Sequence, residues 1–549
     1  MGAWAEGWSR ESAGSYRLGV VMAERARTHI CVPIMCEDVE SALRASVRAS
    51  EAGADLIEYR VDELFDPGGG DSSVREVSAL VARSPVPCVV TCRPVREGGG
   101  YEGEDGARLG MMRALCESDD PPRFLDVELS TIEGGGEAWS ALSAALAGGG
   151  GEGVGGVRPS LIVSTHDFEG RPRDLMGRLA SMRGVRGGRV VKVAYRARSL
   201  RDNLEVFEIL CERDRPTIAL GMGEFGLMSR VLAPKFGGFL TFASVPGGSG
   251  TAPGQPAVEE LIDRYRFRSI GAGTRVFGVV GWPVAQSRSP ELHNAAFGRF
   301  GVDGVYLPMP VPAEWEHFKA TVGALVSDGA LGIGGLSVTI PHKVHAVRLA
   351  RELGWEVDGS AARAGAANTI SVGGDGAVRV GNTDGVAARL CLEDALGGSV
   401  AGRRVAVIGA GGVARGIVSA LIGRGARITV FNRTLARAAE LVESVGGRAD
   451  EGDEGGAEIV ARELASLGLA CGGAEGASPS GEGVVEGLGG STVFMDTVYT
   501  PVETPFLRLA RERGVDTVDG WSMFIRQASL QFEGWTGVSG ALGVFEEFV

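Results

Sequence analysis

From His29 to about residue 260 the chain alternates short apolar runs with amphipathic stretches. The runs are HICVPIM (29–35), DLIEYRVD (55–62), PCVVTCR (87–93), FLDVEL (124–129), SLIVSTHDF (160–168), RVVKVAY (189–195), PTIALGM (216–222) and GFLTFASV (238–245). Each is rich in Val, Ile and Leu and reads as a strand buried on both faces. Each is followed by helical spacing, as in VESALRASVRASEAG (39–53) and NLEVFEILCERD (203–214). Eight strand–helix units within roughly 230 residues predict a closed (β/α)8 TIM barrel. An open doubly wound sheet alternates in the same way, but the absence of a Gly-rich phosphate loop favours closure.

The pattern then changes. VPGGSGTAPGQP (245–256) reads as a loop and Arg266–Thr274 as a linker. A second region opens at Val276 with VFGVVGWPVAQSRSPELHNAAF, a strand, loop and helix. A third opens at Arg403 and leads into VAVIGAGGVARGIV (405–418), an apolar strand, a Gly-rich turn and a helix start. The expected organisation is a tail over 1–28, a barrel over 29–268, an α/β substrate domain over 275–390 and a Rossmann domain over 391–520. C-terminal helices over 521–549 then pack back on the substrate domain. Two glycine-rich stretches, 148–156 and about 446–490, read as low complexity; the second lies inside the Rossmann domain.

Composition narrows the function classes. The 549-residue chain is 44% hydrophobic and 23% charged, as expected of globular domains. A net charge of −14 argues against nucleic-acid and anionic-membrane partners, which select basic patches. No apolar run reaches the roughly 18 residues of a membrane span. The eight cysteines, Cys31, Cys36, Cys88, Cys92, Cys116, Cys211, Cys391 and Cys471, never form CxxC or a Cys/His cluster. They read as reduced thiols in the cytoplasm or a plastid stroma, with no metal site. The first 27 residues lack the continuous apolar core of a secretory signal. No feature sets an oligomeric state, and a monomer is compatible with the pattern.

In a parallel barrel, chemistry gathers at the C-terminal ends of the strands. Glu58 and Arg60 end the second run, Arg93 the third with Glu97 just beyond, His166 the fifth, and Lys192 lies in the sixth. Val190, Val191 and Val193 flank Lys192, so desolvation is expected to push its amine towards the neutral form that carbonyl attack requires. A lysine at the rim, or one paired with a carboxylate, is the bland alternative. His166 is the only one of the chain's six histidines at an active-site strand end of this barrel.

IVSTHDF, RVVKVAY, GMGEFGLMSR (221–230) and TAPGQ (251–255), in that order and spacing, resemble the type I 3-dehydroquinate dehydratases over residues 29–260. The resemblance implies that Lys192 forms an imine with the substrate ketone. His166 then removes the adjacent proton and assists loss of the hydroxyl as water. It further implies that Glu97 orients His166 and that Arg230 clamps the substrate carboxylate. Glu58, Arg60, Arg93 and Gln255 would hold ring hydroxyls. Thr251 stands where serine is common and keeps the hydroxyl.

The third region's GAGG turn (Gly409, Ala410, Gly411, Gly412, then Val413) has the layout that seats a pyrophosphate on a helix N-terminus. The next strand ends in VFNRTLAR (430–437), where an NAD site would more often place an acid for the ribose 2′-hydroxyl. Asn432, Arg433, Thr434 and Arg437 instead suit a 2′-phosphate, so NADP is the expected cofactor. Between the two, GLSVTIPHK (335–343), AANTI (366–370) and GNTDGVA (381–387) supply Lys343 and Asp384, a candidate proton-transfer and orienting pair. Such a pair is ordinarily only a salt bridge. Here Thr339, Asn368, Ser287 and Ser289 surround it on loops after strands, which favours a polyhydroxylated substrate.

These motifs, with DTVYTPVETPF (496–506) and DGWSMFIRQASLQFEGW (519–535), resemble the shikimate dehydrogenases over 276–549. The resemblance implies catalysis by Lys343 and Asp384. It implies substrate binding by Ser287, Ser289, Thr339, Asn368 and Gln527, with Tyr499 near the carboxylate and nicotinamide. Gly520 and Met523 would close the nicotinamide end. Ser289 and Thr339, where quinate-preferring relatives tend to carry glycine, imply shikimate specificity. The order of the halves resembles the bifunctional enzymes of plants, algae and some bacteria, with 3-dehydroquinate and 3-dehydroshikimate as substrates.

Two departures stand out. Gln286 replaces a histidine, and the family's Asn-x-Thr-Ser-x-Gly-Met segment is missing between Val430 and Asp496. A strand and loop of the cofactor domain are therefore expected to be lost or replaced. Three alternatives remain at this point: a metabolite-sensing regulator built from the same domains, a class I aldolase barrel, and a quinate dehydrogenase second half. Intact Lys192, His166, Lys343 and Asp384 argue against the first, and the His166 and TAPGQ context against the second.

Overall fold

The computed structural model describes residues 27–147, 158–245, 254–445, 459–464 and 492–548. Eight parallel strands open the fold: β1 (His29–Met35), β2 (Leu56–Arg60), β3 (Cys88–Thr91), β4 (Phe124–Glu128), β5 (Ser160–Asp167), β6 (Gly188–Arg196), β7 (Thr217–Met222) and β8 (Leu240–Phe242). They pair in the order β7-β6-β5-β4-β3-β2-β1-β8. Between β8 and β7 the ring is nearly closed, and the Phe239 N–H donates to the Thr217 carbonyl at 2.8 Å. The first half is the predicted TIM-type barrel.

Strand periodicity builds its interior in layers. Cys31, Leu56, Val89, Phe124, Ile162, Val190, Ile218 and Leu240, one from each strand, belong to a single buried apolar cluster. Two residues further along five of these strands come Glu58, Thr91, Asp126, Ser164 and Lys192, all buried. Because side chains repeat with period two, the apolar plug and the polar layer above it share one face of each strand. The intervening residues, such as Leu125, Val127, Val191 and Val193, join the larger core under the covering helices.

The second half contains a six-stranded sheet of β9 (Arg275–Gly281), β10 (Gly304–Pro310), β11 (Ile333–Val338), β12 (Glu356–Val357), β13 (Thr369–Val372) and β14 (Val378–Gly381). Its order is β10-β9-β11-β13-β14-β12, with β13 antiparallel to both neighbours. A three-stranded parallel sheet follows, β15 (Arg404–Ile408), β16 (Arg427–Asn432) and β17 (Ile459–Glu463); β18 (Val493–Met495) and β19 (Asp516–Val518) pair separately. The helix Gly520–Thr536 returns to the six-stranded sheet, where Gln531 Nε2 donates to the Asn368 carbonyl and Trp535 Nε1 to that of Ile370. An aromatic cluster of Phe277, Phe297, Tyr306, Phe532, Trp535 and Phe545 seals that contact.

Candidate active sites

Lys192 is 5% exposed, and its surroundings differ from those the valine flanks suggest. Nζ donates to Asp126 Oδ2 at 2.8 Å and to Glu58 Oε1 at 3.2 Å, with the Phe242 ring 4.7 Å away. The valines lie along the strand, but the amine points into the polar layer. The expectation of a neutral amine therefore loses its premise of an apolar surround. Asp126 also accepts from Ser164 Oγ at 2.6 Å and pairs with Arg93 at 3.1 Å. Arg93 in turn reaches Glu128 at 2.8 Å, and Glu128 pairs with the buried Arg108 at 2.8 Å. Three carboxylates thus face three cations. Burial alone would raise the Asp126 carboxyl, but Arg93 and Lys192 outweigh it and hold that group well below the usual carboxylate range.

His166 ends β5 beside this network. Burial, then the charges of Arg93 and Lys192, push its imidazole well below its ordinary value and favour a neutral base. Glu97 Oε2 lies 3.8 Å from His166 Nδ1, beyond hydrogen-bond reach, and neither atom has another partner among the described residues. Ser130 fixes the other Glu97 oxygen at 2.7 Å, while burial raises the Glu97 carboxyl. Arg60 is engaged by Asp62. Arg230 is 1% exposed, and its Nε and Nη1 donate to nothing among the described residues. Burial pushes it down to about 10. An unpartnered buried guanidinium is costly unless an anion arrives to meet it.

Gln255 is half-buried on the loop that reaches back over β7. Gly254 there has φ +76°, and a Cβ would sit 2.5 Å from the Gly223 carbonyl, so only glycine lets the two loops touch. Thr251 lies outside the described residues.

In the second half, Lys343 Nζ donates to Asp384 Oδ2 at 2.5 Å with both groups buried. Asn368 Nδ2 donates to Asp384 Oδ1 at 2.9 Å and to Gln527 Oε1 at 3.2 Å. Lys343, Asp384, Asn368 and Gln527 are therefore one hydrogen-bonded unit drawn from four chain segments. The Ser289 N–H donates to Ser287 Oγ at 3.3 Å. Thr339 is half-buried one residue beyond β11, and the exposed Gln286 donates only to Pro283 at 3.4 Å. Tyr499 stacks on Phe524 with centroids 4.5 Å apart, and burial raises its hydroxyl.

Comparison with known proteins accords with this two-part geometry. Residues 30–272 match the type I 3-dehydroquinase family, 279–370 the shikimate dehydrogenase substrate binding domain, and 392–454 the shikimate/quinate 5-dehydrogenase family. The bifunctional 3-dehydroquinate dehydratase/shikimate dehydrogenase, chloroplastic, of Arabidopsis thaliana is 34% identical over 534 residues, 93% of this chain and 82% of its own. The chain belongs to this bifunctional dehydratase/dehydrogenase family. A shikimate dehydrogenase (NADP(+)) of Methanocella arvoryzae is 38% identical over 49% of this chain and 96% of its own. The solved dehydroquinate dehydratase and shikimate dehydrogenase from S. pombe AroM covers 95% of this chain and 98% of its own at 24% identity, with a TM-score of 0.39.

The cofactor region of the dehydrogenase half begins at Gly409, whose φ of +107° turns the chain out of β15. The helix Gly412–Ile422 starts at Gly411 without a side-chain cap, so its first N–H groups face outward from the turn. A Cβ on Gly412 would lie 3.1 Å from Lys343 Cβ, which places the turn against the stem of that lysine. Val413 packs with the domain core. Asn432 donates to the Thr434 carbonyl; Arg433 and Arg437 are exposed and form no ion pair among the described residues. These residues fit an anionic dinucleotide carrying a further phosphate. Gly520 sits where a Cβ would be 2.3 Å from the Val498 carbonyl, and Met523 is buried in the cofactor-domain core.

The low-complexity reading of 446–490 needs correction at one place. Ile459–Glu463 forms β17 and pairs in parallel with β16, its apolar start IVA burying Ile459 and Ala461 against the domain core. The rest of that stretch, like 148–156 and the tail over 1–26, lies outside the described residues. Among the described residues β15 pairs only with β16, and no strand flanks its other edge.

Sequence reasoning missed Asp126, Glu128, Arg108 and Ser164. Asp126 and Glu128 carried a readable signal: two acids at i and i+2 in FLDVEL must share a face with Phe124. Arg108, on the helix Asp105–Cys116, carried none, because only the tertiary fold takes it under Glu128.

Proposed function

We propose that the halves catalyse consecutive steps, dehydration of 3-dehydroquinate to 3-dehydroshikimate and then its NADPH-dependent reduction to shikimate. The observation that carries the first step is the buried Arg230 guanidinium, its Nε and Nη1 unbonded among the described residues, in a barrel that also presents Lys192 and a neutral His166. Arg230 receives the substrate carboxylate in bidentate fashion. Lys192, once deprotonated, attacks the ketone carbon, and loss of water gives the imine, an electron sink for the next step. His166 takes the adjacent proton and returns one to the departing hydroxyl, so water leaves and the double bond forms. Water then hydrolyses the imine and frees Lys192. Glu97, 3.8 Å from His166, approaches as the ring becomes cationic.

NADPH, when bound, supplies the hydride for the second step. Lys343, held by Asp384, places its ammonium to protonate the carbonyl oxygen as that charge develops. Asn368 fixes Asp384 from the far side and is itself bonded to Gln527, and both align with Ser287, Ser289 and Thr339 to bind the ring hydroxyls. Tyr499 covers the carboxylate end, while the GAGG turn, Arg433 and Arg437 hold the dinucleotide phosphates. The A. thaliana relative's chloroplastic name and seven free cysteines among the described residues support a reducing compartment, plastid stroma or cytoplasm. No helix of the described residues is long and apolar enough to cross a membrane.

Borohydride added with 3-dehydroquinate should fix a covalent adduct on Lys192. Absence of an adduct, with turnover intact, would overturn the imine mechanism. NADPH oxidation by 3-dehydroshikimate tests the second half, and failure there alone would point to the altered cofactor sheet.

A further inference from the structure

The loop that carries Ser287 and Ser289 is gripped at two points by residues of the other half. At its start, Trp282 stacks on Phe225, with centroids 6.1 Å apart and planes within 9°. Near its end, the Ser287 carbonyl accepts from Arg264 Nη2 at 3.2 Å. We infer that Phe225 and Arg264, both from the dehydratase half, are positioning residues for the substrate site of the dehydrogenase half. The inference rests on the reading of Ser287 and Ser289 as substrate ligands.

Both grips are themselves held. The Phe225 carbonyl accepts from Asn203 Nδ2 at 2.8 Å, and Asn203 Oδ1 accepts from the Ser229 N–H at 3.2 Å, next to Arg230. The aromatic ring is therefore mounted on the turn that leads directly into the short helix Leu227–Val231 bearing the dehydratase's carboxylate-binding arginine. Arg264 is fixed by Glu260 at 2.8 Å and lies over the Tyr265 ring. On the receiving side, the Trp282 N–H donates to the Ile340 carbonyl at 2.9 Å, and the His342 N–H closes onto Thr339 at 2.8 Å. Trp282 thus links the serine loop to the segment bearing Thr339 and Lys343. Offset-stacked rings at this separation attract and resist sliding. A donor on a backbone carbonyl fixes the loop at its other end. Neither residue reaches the Lys343–Asp384 pair, which is held independently by Asn368. Loosening the loop should therefore weaken substrate binding more than the chemical step.

The test uses the full chain. Phe225→Ala and Arg264→Ala should each raise the dehydrogenase KM for shikimate about fivefold, with kcat changed less than about twofold and KM for NADP+ unmoved. Phe225→Trp and Arg264→Lys should restore KM, which a merely structural loss would not allow. Ser287→Ala serves as the benchmark. If it raises KM for shikimate while both alanine variants keep the wild-type value, the positioning inference is overturned and the site reading stands. If Ser287→Ala leaves KM unchanged, the site reading falls and the inference falls with it. Should Phe225→Ala fail to fold, Phe225→Leu and Arg264→Ala decide by the same criterion, with retained dehydratase turnover in Arg264→Ala showing an intact barrel.

Discussion

Asp126 stands between Lys192 and Arg93, 2.8 Å from the first and 3.1 Å from the second, and both contacts are buried. Removing it leaves two cations facing each other without their shared counter-ion. Asp126→Ala should lower the stability of the barrel by about 3 kcal/mol, the cost of breaking a buried network rather than exchanging it. Urea unfolding followed by tryptophan fluorescence would measure this; an unchanged midpoint would show that Glu58 and Glu128 suffice.

Arg230 presents the opposite case. Its guanidinium is buried with Nε and Nη1 unbonded among the described residues, a cost that the proposed substrate carboxylate would relieve. Arg230→Met should stabilise the protein by about 1–3 kcal/mol while raising the dehydratase KM by about a hundredfold or more. Thermal unfolding and steady-state kinetics on one preparation would test both. A loss of stability would show that the arginine is structurally partnered after all.

The pH dependence follows from two histidines. His166 is held well below its ordinary value by burial, Arg93 and Lys192, so it stays a base when solution pH passes down through the range of a free imidazole. In the free enzyme the His166 ring should therefore stay neutral below pH ~6.5 and take up its proton only in more acid solution. Protonation at or above that pH, read from the ring's NMR shifts, would contradict the assignment.

His293 is fully buried, stacks on Tyr306 with centroids 4.3 Å apart, and is pushed down to about 3 by burial. Only the unfolded chain protonates it readily, so folding stability is lost as pH falls from about 6.5 towards the folded value, at up to about 1.4 kcal/mol per pH unit. His293→Phe should flatten that slope in the dehydrogenase half. Denaturation midpoints between pH 7 and pH 4 would show it.

Arg433 and Arg437 are exposed and form no ion pair among the described residues, so replacing them should leave stability within about 0.5 kcal/mol. Arg433→Ala should raise KM for NADPH about tenfold or more while leaving that for NADH little changed. Equal effects on the two cofactors would remove the 2′-phosphate from this site.

Much of the barrel was readable because both faces of its strands are buried, which makes them continuous apolar runs, and because an interior lysine interrupts one of them. The same periodicity places Asp126 beside Lys192 and Glu128 beside Arg93, although an acid pair in a strand passes easily for an edge. Arg108 could not be read at all, since its role depends on where a helix lands. Neither could the two-point grip of Phe225 and Arg264, which joins residues far apart in the chain. In the cofactor domain, β17 was hidden by surrounding glycine, since a three-residue apolar run followed by two charges looks no different there from a loop.

The contact between Gly412 and the stem of Lys343 has a consequence for kinetics. On the proposed reading, the turn that holds the dinucleotide lies against the side chain that delivers the proton, so a shift in one is expected to move the other. An alanine at Gly412 would push on the lysine as well as on the nucleotide. Defects in cofactor affinity and in turnover would then arrive together from one added methyl group, and a change in NADPH binding at this turn would read out as a change in proton delivery.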